Sequence, residues 1–186
     1  MIGDQTDYEE FLREDQQARL ARFYKARPPA FAKRGWLNRN VHQWLEGMIR
    51  GENRTLALEG PTGTGKSWSL WKSVETLLAN GWRGRWEIIT ATDFAEVIRP
   101  PVDDSRLRRI RECEFLGLDD LGAWRIKEWG AEHLYAIFDH RCEQELPVVV
   151  ASNIPNMVNA LGDRIGSRLA GGLTRVELSG PDRRAS

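Results

Sequence analysis

Short apolar runs alternate along the chain with longer segments in which apolar residues recur every three or four positions. Apolar runs are typical of buried strands, and this periodicity is typical of helices packed on a sheet. The runs predict five strands, at residues 55–58, 86–90, 116–119, 147–151 and 174–178. The periodic segments predict helices at residues 7–27, 40–50, 66–80, 93–99, 103–112, 128–143, 156–161 and 164–169. Asn40 and Asp93 are predicted to cap two of these helices. Strands that alternate with helices predict an α/β fold with a mostly parallel five-stranded sheet flanked by helices.

Residues 1–37 differ from the rest of the chain. The helix predicted at residues 7–27 is polar and has only a weak apolar stripe. Pro28 and Pro29 end it, and the following residues, up to Leu37, are predicted to form a linker. Residues 38–186 are predicted to form the main domain. The N-terminal segment is therefore a candidate for docking on a partner.

Composition excludes several classes of protein. The chain has 186 residues, 27 basic and 27 acidic side chains and no net charge, so any contact with nucleic acid must come from a local patch. No apolar run approaches the ~20 residues that span a bilayer, and the N-terminus is acidic, unlike a secretory signal. Cys113 and Cys142 form no metal-ligand pattern and are predicted to be reduced thiols. We therefore expect a cytoplasmic protein without membrane contact.

Residues 60–67 carry the strongest chemical signal. Their sequence, GPTGTGKS, matches the pattern G-x-x-x-x-G-K-[ST] at every fixed position, between a predicted strand and a predicted helix. Backbone N–H groups of such a loop converge on phosphate oxygens, Lys66 reaches the β- and γ-phosphates, and Ser67 binds Mg²⁺. The predicted nucleotide-binding residues are Gly60, Pro61, Thr62, Gly63, Thr64, Gly65, Lys66 and Ser67.

Polar residues follow two of the other predicted strands. Asp119 is predicted to bind Mg²⁺ and Asp120 to polarise an attacking water, although two acids after a strand also suit a turn or a helix cap. Asn153 is predicted to orient that water, and a strand-ending turn is the alternative. The sequence therefore predicts a phosphoryl-transfer site in which Lys66, Asp120 and Asn153 are catalytic.

Two sets of arginines are candidates for contacts beyond the loop. Arg164 and Arg168 are four positions apart and share a helix face, from which an arginine could reach a neighbouring subunit's γ-phosphate; solvated surface arginines are the alternative. A second set precedes the two acids and is predicted to bind DNA, unless it forms a solvated helix face. That set is Arg106, Arg108, Arg109 and Arg111.

These elements, in this order, resemble the AAA+ ATPases, and within them the DnaC-like helicase loaders and the IstB-like transposition helper ATPases. The resemblance covers most of residues 28–184 and is most specific at 118–122 (LDDLG), 152–153 (SN), 162–169 (GDRIGSRL) and 176–184 (VELSGPDRR). It implies a P-loop NTPase of the AAA+ ASCE type that uses ATP and Mg²⁺. It also implies that Asp119 and Asp120 form the Walker B site, that Asn153 is sensor 1, and that Arg168 is the arginine finger.

The resemblance implies an ATPase that acts as a DNA-replication accessory protein. A DnaC-like loader would oligomerise with ATP, hold single-stranded DNA, and deliver or open a ring-shaped replicative helicase. Little chain follows the last strand, so we expect no C-terminal helical lid, and Asp120 stands where many relatives have Glu, so we expect slow hydrolysis by an isolated subunit. Two alternatives stay open: an IstB-like helper that binds double-stranded DNA and a transposase, and a nucleotide-dependent regulator with little turnover.

Overall fold

The computed structural model describes residues 3–121, 128–180 and 182, and five strands lie within these residues. They are β1 (Thr55–Glu59), β2 (Trp86–Thr90), β3 (Phe115–Asp119), β4 (Val148–Ser152) and β5 (Leu173–Glu177). Each strand begins and ends within one residue of its predicted bounds. Of the motifs quoted above, residues 122, 181, 183 and 184 lie outside the described part of the chain.

The helices of the described residues follow the predicted alternation with the strands. They are α1 (Gly3–Ala26), α2 (Arg39–Ile49), α3 (Lys66–Ala79), α4 (Ala91–Val97), α5 (Asp104–Glu112), α6 (Glu128–Glu143), α7 (Met157–Ala160) and α8 (Asp163–Ala170). A short 3₁₀ turn, Pro29–Phe31, follows α1.

Two predicted caps were wrong. The cap of α2 is Asn38, whose side chain accepts a hydrogen bond from the Asn40 backbone N–H (2.9 Å), so Asn40 lies inside the helix. The cap of α4 is Thr90, whose hydroxyl accepts from the Asp93 N–H (3.0 Å). An N-cap accepts from an N–H two or three positions onward, and in both helices a second polar residue occupies that inner position.

All paired strands are parallel, and their order across the sheet is β2-β3-β4-β1-β5. The carboxyl ends of the strands therefore meet at one edge of the sheet, which is where parallel α/β sheets bind their ligands. In the register, Glu59 at the end of β1 lies opposite Ser152 at the end of β4. Because β4 separates β1 from β3, the loop after β4 lies between the glycine-rich loop and the two acids.

The sheet is buried on both faces, and alternate residues of a strand enter different cores. Leu56 and Val149 pack towards α1, α2 and α3, whereas Ala57 and Val150 pack towards the helices from α4 to α8. This double burial explains why β1, β3 and β4 are largely apolar, whereas β5 at the edge of the sheet carries polar residues. The fold is the predicted α/β sheet with helices on both faces.

Gly117 in the middle of β3 allows α3 to lie close to the sheet. A Cβ at this position would collide with the Leu70 side chain of α3. The side chain of Leu70 is fully buried. The position of α3, which begins at the glycine-rich loop, therefore depends on a residue without a side chain in β3.

The second half of α1 packs on α3. Phe23 is fully buried, and its ring centroid lies 6.0 Å from that of Trp71 and 5.6 Å from that of Trp86. Gln16 donates hydrogen bonds from its side-chain amide to the backbone oxygens of Leu78 and Ala79 (3.2 and 2.7 Å), at the carboxyl end of α3. These contacts attach residues 16–26 to the sheet domain.

The first half of α1 and the segment after it differ in exposure. Tyr8 and Phe11 expose 60% and 58% of their surface. After the helix, Phe31 stacks on Trp71 (6.3 Å between centroids), and the Trp68 indole N–H donates to the Lys33 backbone oxygen (2.9 Å). The chain therefore packs on the sheet domain from the middle of α1 onward. Tyr8 and Phe11 come before that point and are exposed to water.

Two further properties concern the cysteines and the length of the helices. Cys113 is buried, Cys142 is exposed, and both are free thiols. Among the helices that the structure describes, none combines the length and apolar composition needed to cross a bilayer.

Candidate functional site

The glycine-rich loop between β1 and α3 adopts a conformation that needs its glycines. Gly60, Gly63 and Gly65 have φ angles of +145°, +84° and +96°, values that side chains disfavour. A Cβ at Gly60 would also collide with the backbone oxygen of Leu178, just after β5. The loop leads directly into the N-terminus of α3, and the positive dipole end of a helix attracts phosphate.

Lys66 lies within this loop rather than in solvent. Its Nζ donates hydrogen bonds to the backbone oxygens of Gly60 and Pro61, each at 2.8 Å, and only 9% of the residue is exposed. The Thr64 hydroxyl donates to the same Pro61 oxygen at 2.8 Å. The ammonium group is therefore held beside the loop backbone, where a phosphate chain would need its charge.

Ser67 and Asp119 meet across the edge of the sheet. The Ser67 hydroxyl donates to Asp119 Oδ1 at 3.0 Å, and the backbone N–H of Asp120 donates to the same oxygen at 3.0 Å. Burial raises the pKa of Asp119 above its ordinary value; the Ser67 hydrogen bond opposes this shift, and the charge of Asp120 adds to it. A hydroxyl and a carboxylate, together with phosphate oxygens, are the donors that Mg²⁺ uses in nucleotide sites.

Among the described residues, no group of three or more His, Cys, Asp or Glu side chains is arranged to hold an ion. Mg²⁺ usually keeps waters and substrate phosphates as ligands and takes only one or two carboxylates from the protein. The hydroxyl and the single carboxylate of the Ser67–Asp119 pair fit this way of holding a nucleotide-borne Mg²⁺.

Asp120 has an unusual backbone conformation for a residue with a side chain. Its φ is +58°, its side chain is exposed, and the next residue, Leu121, donates its N–H to the backbone oxygen of Ala151 in β4 (3.0 Å). Aspartate tolerates the left-handed region better than most residues, and strained residues concentrate at functional sites. The bend exposes the second acid while the first stays buried.

Asn153 directly follows β4 and is exposed at the same edge of the sheet. Ser152 before it is fully buried, and its hydroxyl accepts a hydrogen bond from the Ile154 N–H at 3.0 Å. This local bond fixes the turn that carries Asn153. The structure thus places Asn153 on the strand between the glycine-rich loop and the two acids.

Sequence reasoning missed Glu59, the last residue of β1. Its carboxylate accepts hydrogen bonds from the N–H groups of Asn156 and Met157, each at 3.1 Å. It therefore connects the start of the glycine-rich loop to the turn after β4. An acid at the end of an otherwise apolar strand was a visible signal, but the sequence did not reveal its partner.

Sequence reasoning also assigned no role to Asp182, which lies against the glycine-rich loop. A Cβ at Gly63 would collide with the Asp182 carboxylate. This carboxylate places negative charge beside a loop built for phosphate. No local pattern in the sequence indicated that approach, because 119 positions separate the two residues.

Arg168 contacts α6 of its own chain. Its Nε lies 2.6 Å from Asp139 Oδ1, and its Nη2 donates to the Tyr135 hydroxyl at 3.2 Å. The hydrogen bond with Tyr135 and the charge of Asp139 raise the pKa of Arg168 above its ordinary value. The Arg164 guanidinium lies over the Tyr135 ring, 3.9 Å from its centroid.

Arg168 is remote from the glycine-rich loop of its own chain. It lines a small cavity with Thr55 and Val148, the first residues of β1 and β4. The glycine-rich loop follows the other end of β1. Arg168 therefore lies at the opposite end of β1 from the glycine-rich loop of its own chain.

The four arginines proposed to contact DNA lie on α5, and carboxylates accompany three of them. Arg109 lies 3.5 Å from Glu87, Arg111 lies 3.2 Å from Glu112, and Arg108 lies 4.0 Å from Glu112. Arg106 is half-buried. Such exposed pairs are weak, so they leave the arginines available to phosphate but reduce the local positive charge.

The chain matches solved structures, although no protein-family profile and no curated protein sequence matches it. DnaI is similar with a TM-score of 0.64 at 21% identity, over 78% of this chain and 83% of that one. The DnaC helicase loader has a TM-score of 0.59 at 15% identity, over 85% and 99%. The replication initiator DnaA, bound to AMPPCP and single-stranded DNA, has a TM-score of 0.64 at 23% identity, over 80% and 48%.

These similarities show the fold. The chain has the P-loop ATPase fold of the AAA+ type, with the five-stranded parallel sheet predicted from its sequence. The resemblance to DnaC-like proteins is confirmed at the level of the fold, since DnaI and the DnaC helicase loader are among the structural neighbours.

Proposed function

We propose that this AAA+ fold serves as a Mg²⁺-dependent ATPase that loads a ring-shaped helicase during DNA replication. The observation that carries the proposal is the Ser67–Asp119 hydrogen bond beside the glycine-rich loop. That pair joins a nucleotide-binding loop to a Walker B acid, the arrangement that ATP hydrolysis requires. The structural similarity to DnaI and the DnaC helicase loader supports the biological role.

The site residues have distinct tasks in this proposal. Bound ATP would bring Mg²⁺, which neutralises charge that develops on the phosphates. The glycine-rich loop and Lys66 would bind the phosphates, and Ser67 and Asp119 would hold the ion. Asp120 accepts a proton from the attacking water, and Asn153 orients that water from β4. Aspartate reaches less far than glutamate, so an isolated subunit hydrolyses ATP slowly.

Arg168 completes the site of a neighbouring subunit. An arginine supplied in trans stabilises the charge of the transferring phosphoryl group and raises turnover by about 10³-fold or more. Its position at the opposite end of β1 from the glycine-rich loop supports this role. ATP binding therefore favours a homo-oligomer, and hydrolysis releases it.

Contacts with DNA and with the helicase use other surfaces. We place single-stranded DNA against Arg106, Arg108, Arg109 and Arg111 on α5, since DnaA, with the same fold, is known bound to single-stranded DNA. We place the helicase on the first half of α1, where Tyr8 and Phe11 are exposed. Large exposed aromatic side chains are typical of protein interfaces. A protein with these partners acts in the cytoplasm.

The first test measures solution mass and ATPase rate with Mg-ATP, with and without single-stranded DNA. Wild type should form a nucleotide-dependent oligomer, Lys66→Ala should lose nucleotide binding, and Arg168→Ala should bind ATP but lose turnover. Lys25→Ala, on the exposed surface of α1, is the matched control for Lys66→Ala. A wild-type protein that stays monomeric and inactive in every condition would contradict the proposal.

The second test concerns the helicase-docking surface. Tyr8→Ser combined with Phe11→Ser should abolish binding to a ring helicase while leaving ATP binding and thermal stability unchanged, because neither side chain is buried. Tyr24→Ser, which removes an exposed aromatic from the second half of α1, is the control. Helicase binding that survives the double substitution would remove this half of α1 from the interface. Assembly on duplex DNA without helicase affinity would favour a transposition helper instead.

A further inference from the structure

The contacts of Arg168 form a connected network between α8 and α6. Asp139 and Tyr135 each contact the guanidinium, at 2.6 and 3.2 Å, and the Tyr135 hydroxyl donates to the same Asp139 oxygen at 3.3 Å. The two α6 residues are four positions apart and therefore lie on one face of that helix. Three side chains thus constrain one another.

Arg164 adds a fourth side chain to the network. Its guanidinium lies over the Tyr135 ring at 3.9 Å, a cation–π contact that restricts rotation of the ring. Arg164 and Arg168 are one turn apart on α8, so both approach the same tyrosine from one helix face. The ring is therefore held from α8 while its hydroxyl holds Arg168.

The network restrains Arg168 without hiding it. A guanidinium has five N–H donors, and these contacts engage Nε and Nη2 only. The side chain remains 43% exposed. A free arginine has many rotamers to lose when it binds a phosphate, and a restrained one loses fewer.

We propose that Tyr135 and Asp139 are positioning residues that hold Arg168 ready for the nucleotide of a neighbouring subunit. This inference rests on the proposed trans role of Arg168 and adds the residues that set its geometry. In this role both α6 residues act through Arg168, which each of them contacts, and not on the nucleotide itself. A misplacement of about 1 Å in such a group lowers turnover by up to about 100-fold.

The decisive experiment mixes two inactive variants. Lys66→Ala subunits keep their arginine but have no nucleotide site, and Arg168→Ala subunits keep their nucleotide site but have no arginine. Each alone should be inactive, and the mixture should regain ATPase activity. Asp139→Ala should then reduce that activity by about tenfold when it is added to the Lys66→Ala subunit. The same substitution in the Arg168→Ala subunit should change nothing.

Conservative and control substitutions separate positioning from a structural defect. In otherwise wild-type subunits, Asp139→Ala should lower kcat with little change in the KM for ATP or in the mass of the AMPPCP-bound oligomer. Asp139→Glu should recover part of the turnover, and Tyr135→Phe, which retains the ring under Arg164, should lose less than Tyr135→Ala. Glu143→Ala, an exposed site on the same helix, should have no effect.

A measurement without nucleotide tests the restraint itself. In ¹⁵N-labelled wild-type protein, the Nε–H of Arg168 should exchange slowly with water, and Asp139→Ala should make it exchange rapidly. An inactive mixture of Lys66→Ala and Arg168→Ala would overturn the trans role and this inference together. An active mixture that is indifferent to Asp139→Ala in either subunit would overturn the positioning role alone.

Discussion

Ser67 donates its hydroxyl hydrogen to Asp119 Oδ1 over 3.0 Å, although 52 positions separate the two residues in the chain. The contact joins the first turn of α3 to the end of β3. In the sheet order a single strand, β4, lies between β1 and β3. The ends of β1 and β3 are therefore close enough for the two side chains to meet. Because Asp119 is buried and contacts Ser67, removal of its charge should change both the stability of the protein and its binding of ATP.

Asp119→Asn should stabilise the nucleotide-free protein at neutral pH and abolish Mg²⁺-dependent ATP binding. The Asn oxygen still accepts from Ser67 and Asp120, whereas the buried negative charge disappears. Because burial raises the pKa of Asp119, ionisation destabilises the fold as pH rises through that pKa. The gain in melting temperature should therefore be absent in acid, below the ordinary pKa of an aspartate, and grow towards neutral pH.

Asp103→Asn is the control, and we expect it to change the melting temperature in the opposite direction. Asp103 caps α5, and the hydrogen bonds from the Arg106 N–H and the Ser105 hydroxyl lower its pKa. Its ionised form stabilises the fold above the ordinary pKa, so Asp103→Asn should lower the melting temperature at neutral pH and not in strong acid. Equal pH dependence in the two variants would contradict the assignment for Asp119.

Arg141 is a buried structural cation, and Arg141→Met should destabilise the protein by about 3 kcal/mol or more. Its guanidinium donates to the backbone oxygens of Ile110 (3.2 Å), Cys113 (2.9 Å) and Pro147 (2.5 Å). Those oxygens lose a charged donor in the variant. Urea unfolding followed by tryptophan fluorescence measures the change.

Two comparisons interpret the Arg141 result. Arg141→Lys should also destabilise, because a single ammonium group cannot span oxygens on the two segments that lead into β3 and β4. Arg108→Met, at a site 73% exposed, should change stability by no more than about 0.5 kcal/mol. An Arg141→Met protein as stable as wild type would show that these oxygens find water instead.

Phe23→Ala should detach α1 and destabilise the protein by about 3 kcal/mol, because the ring is fully buried against Trp71 and Trp86. Protease cleavage within α1 should accelerate before the sheet domain unfolds. Phe11→Ala, in the exposed half of the same helix, should leave both readouts unchanged. Equal effects of the two substitutions would contradict the division of α1 into a packed and an exposed half.

Asp182→Asn should tighten binding of an ATP analogue by about threefold at low ionic strength, because the carboxylate lies against Gly63 of the phosphate loop. Salt screens exposed charges, so the gain should shrink in about 1 M salt. Calorimetric titration at both ionic strengths measures it. Glu143→Gln, an exposed acid on α6, should bind the analogue as wild type does; a matching gain there would indicate net charge rather than Asp182.

Most of the helices and strands could be predicted from the properties of neighbouring residues. Short apolar runs bounded by turn residues are typical of strands buried on both faces, and the run of glycines before Lys66 has few uses other than phosphate binding. Caps were predicted less well, since Asn38 and Asn40 are chemically equal and only the backbone geometry distinguishes them.

The candidate site was predicted as residue types rather than as an arrangement. Asp119 and Asn153 could be assigned to strand ends, because the carboxyl ends of the strands lie at a common edge in any parallel sheet. The contacts of Glu59 and Asp182 could not be predicted, because each joins residues about a hundred positions apart. Their partners lie on segments that only the folded chain brings near.

The sequence by itself determined the strands, the helices and the phosphate loop, because backbone conformation and burial periodicity are properties of neighbouring residues. Tertiary structure alone decided that β4 lies between β1 and β3, and that Arg168 faces away from its own loop. Strand order depends on which long-range pairings bury the sheet most completely, and such pairings leave no local signal in the chain. The residues of the site can therefore be found in separate segments of the sequence, but their arrangement is set only when β4 pairs with β1 and β3.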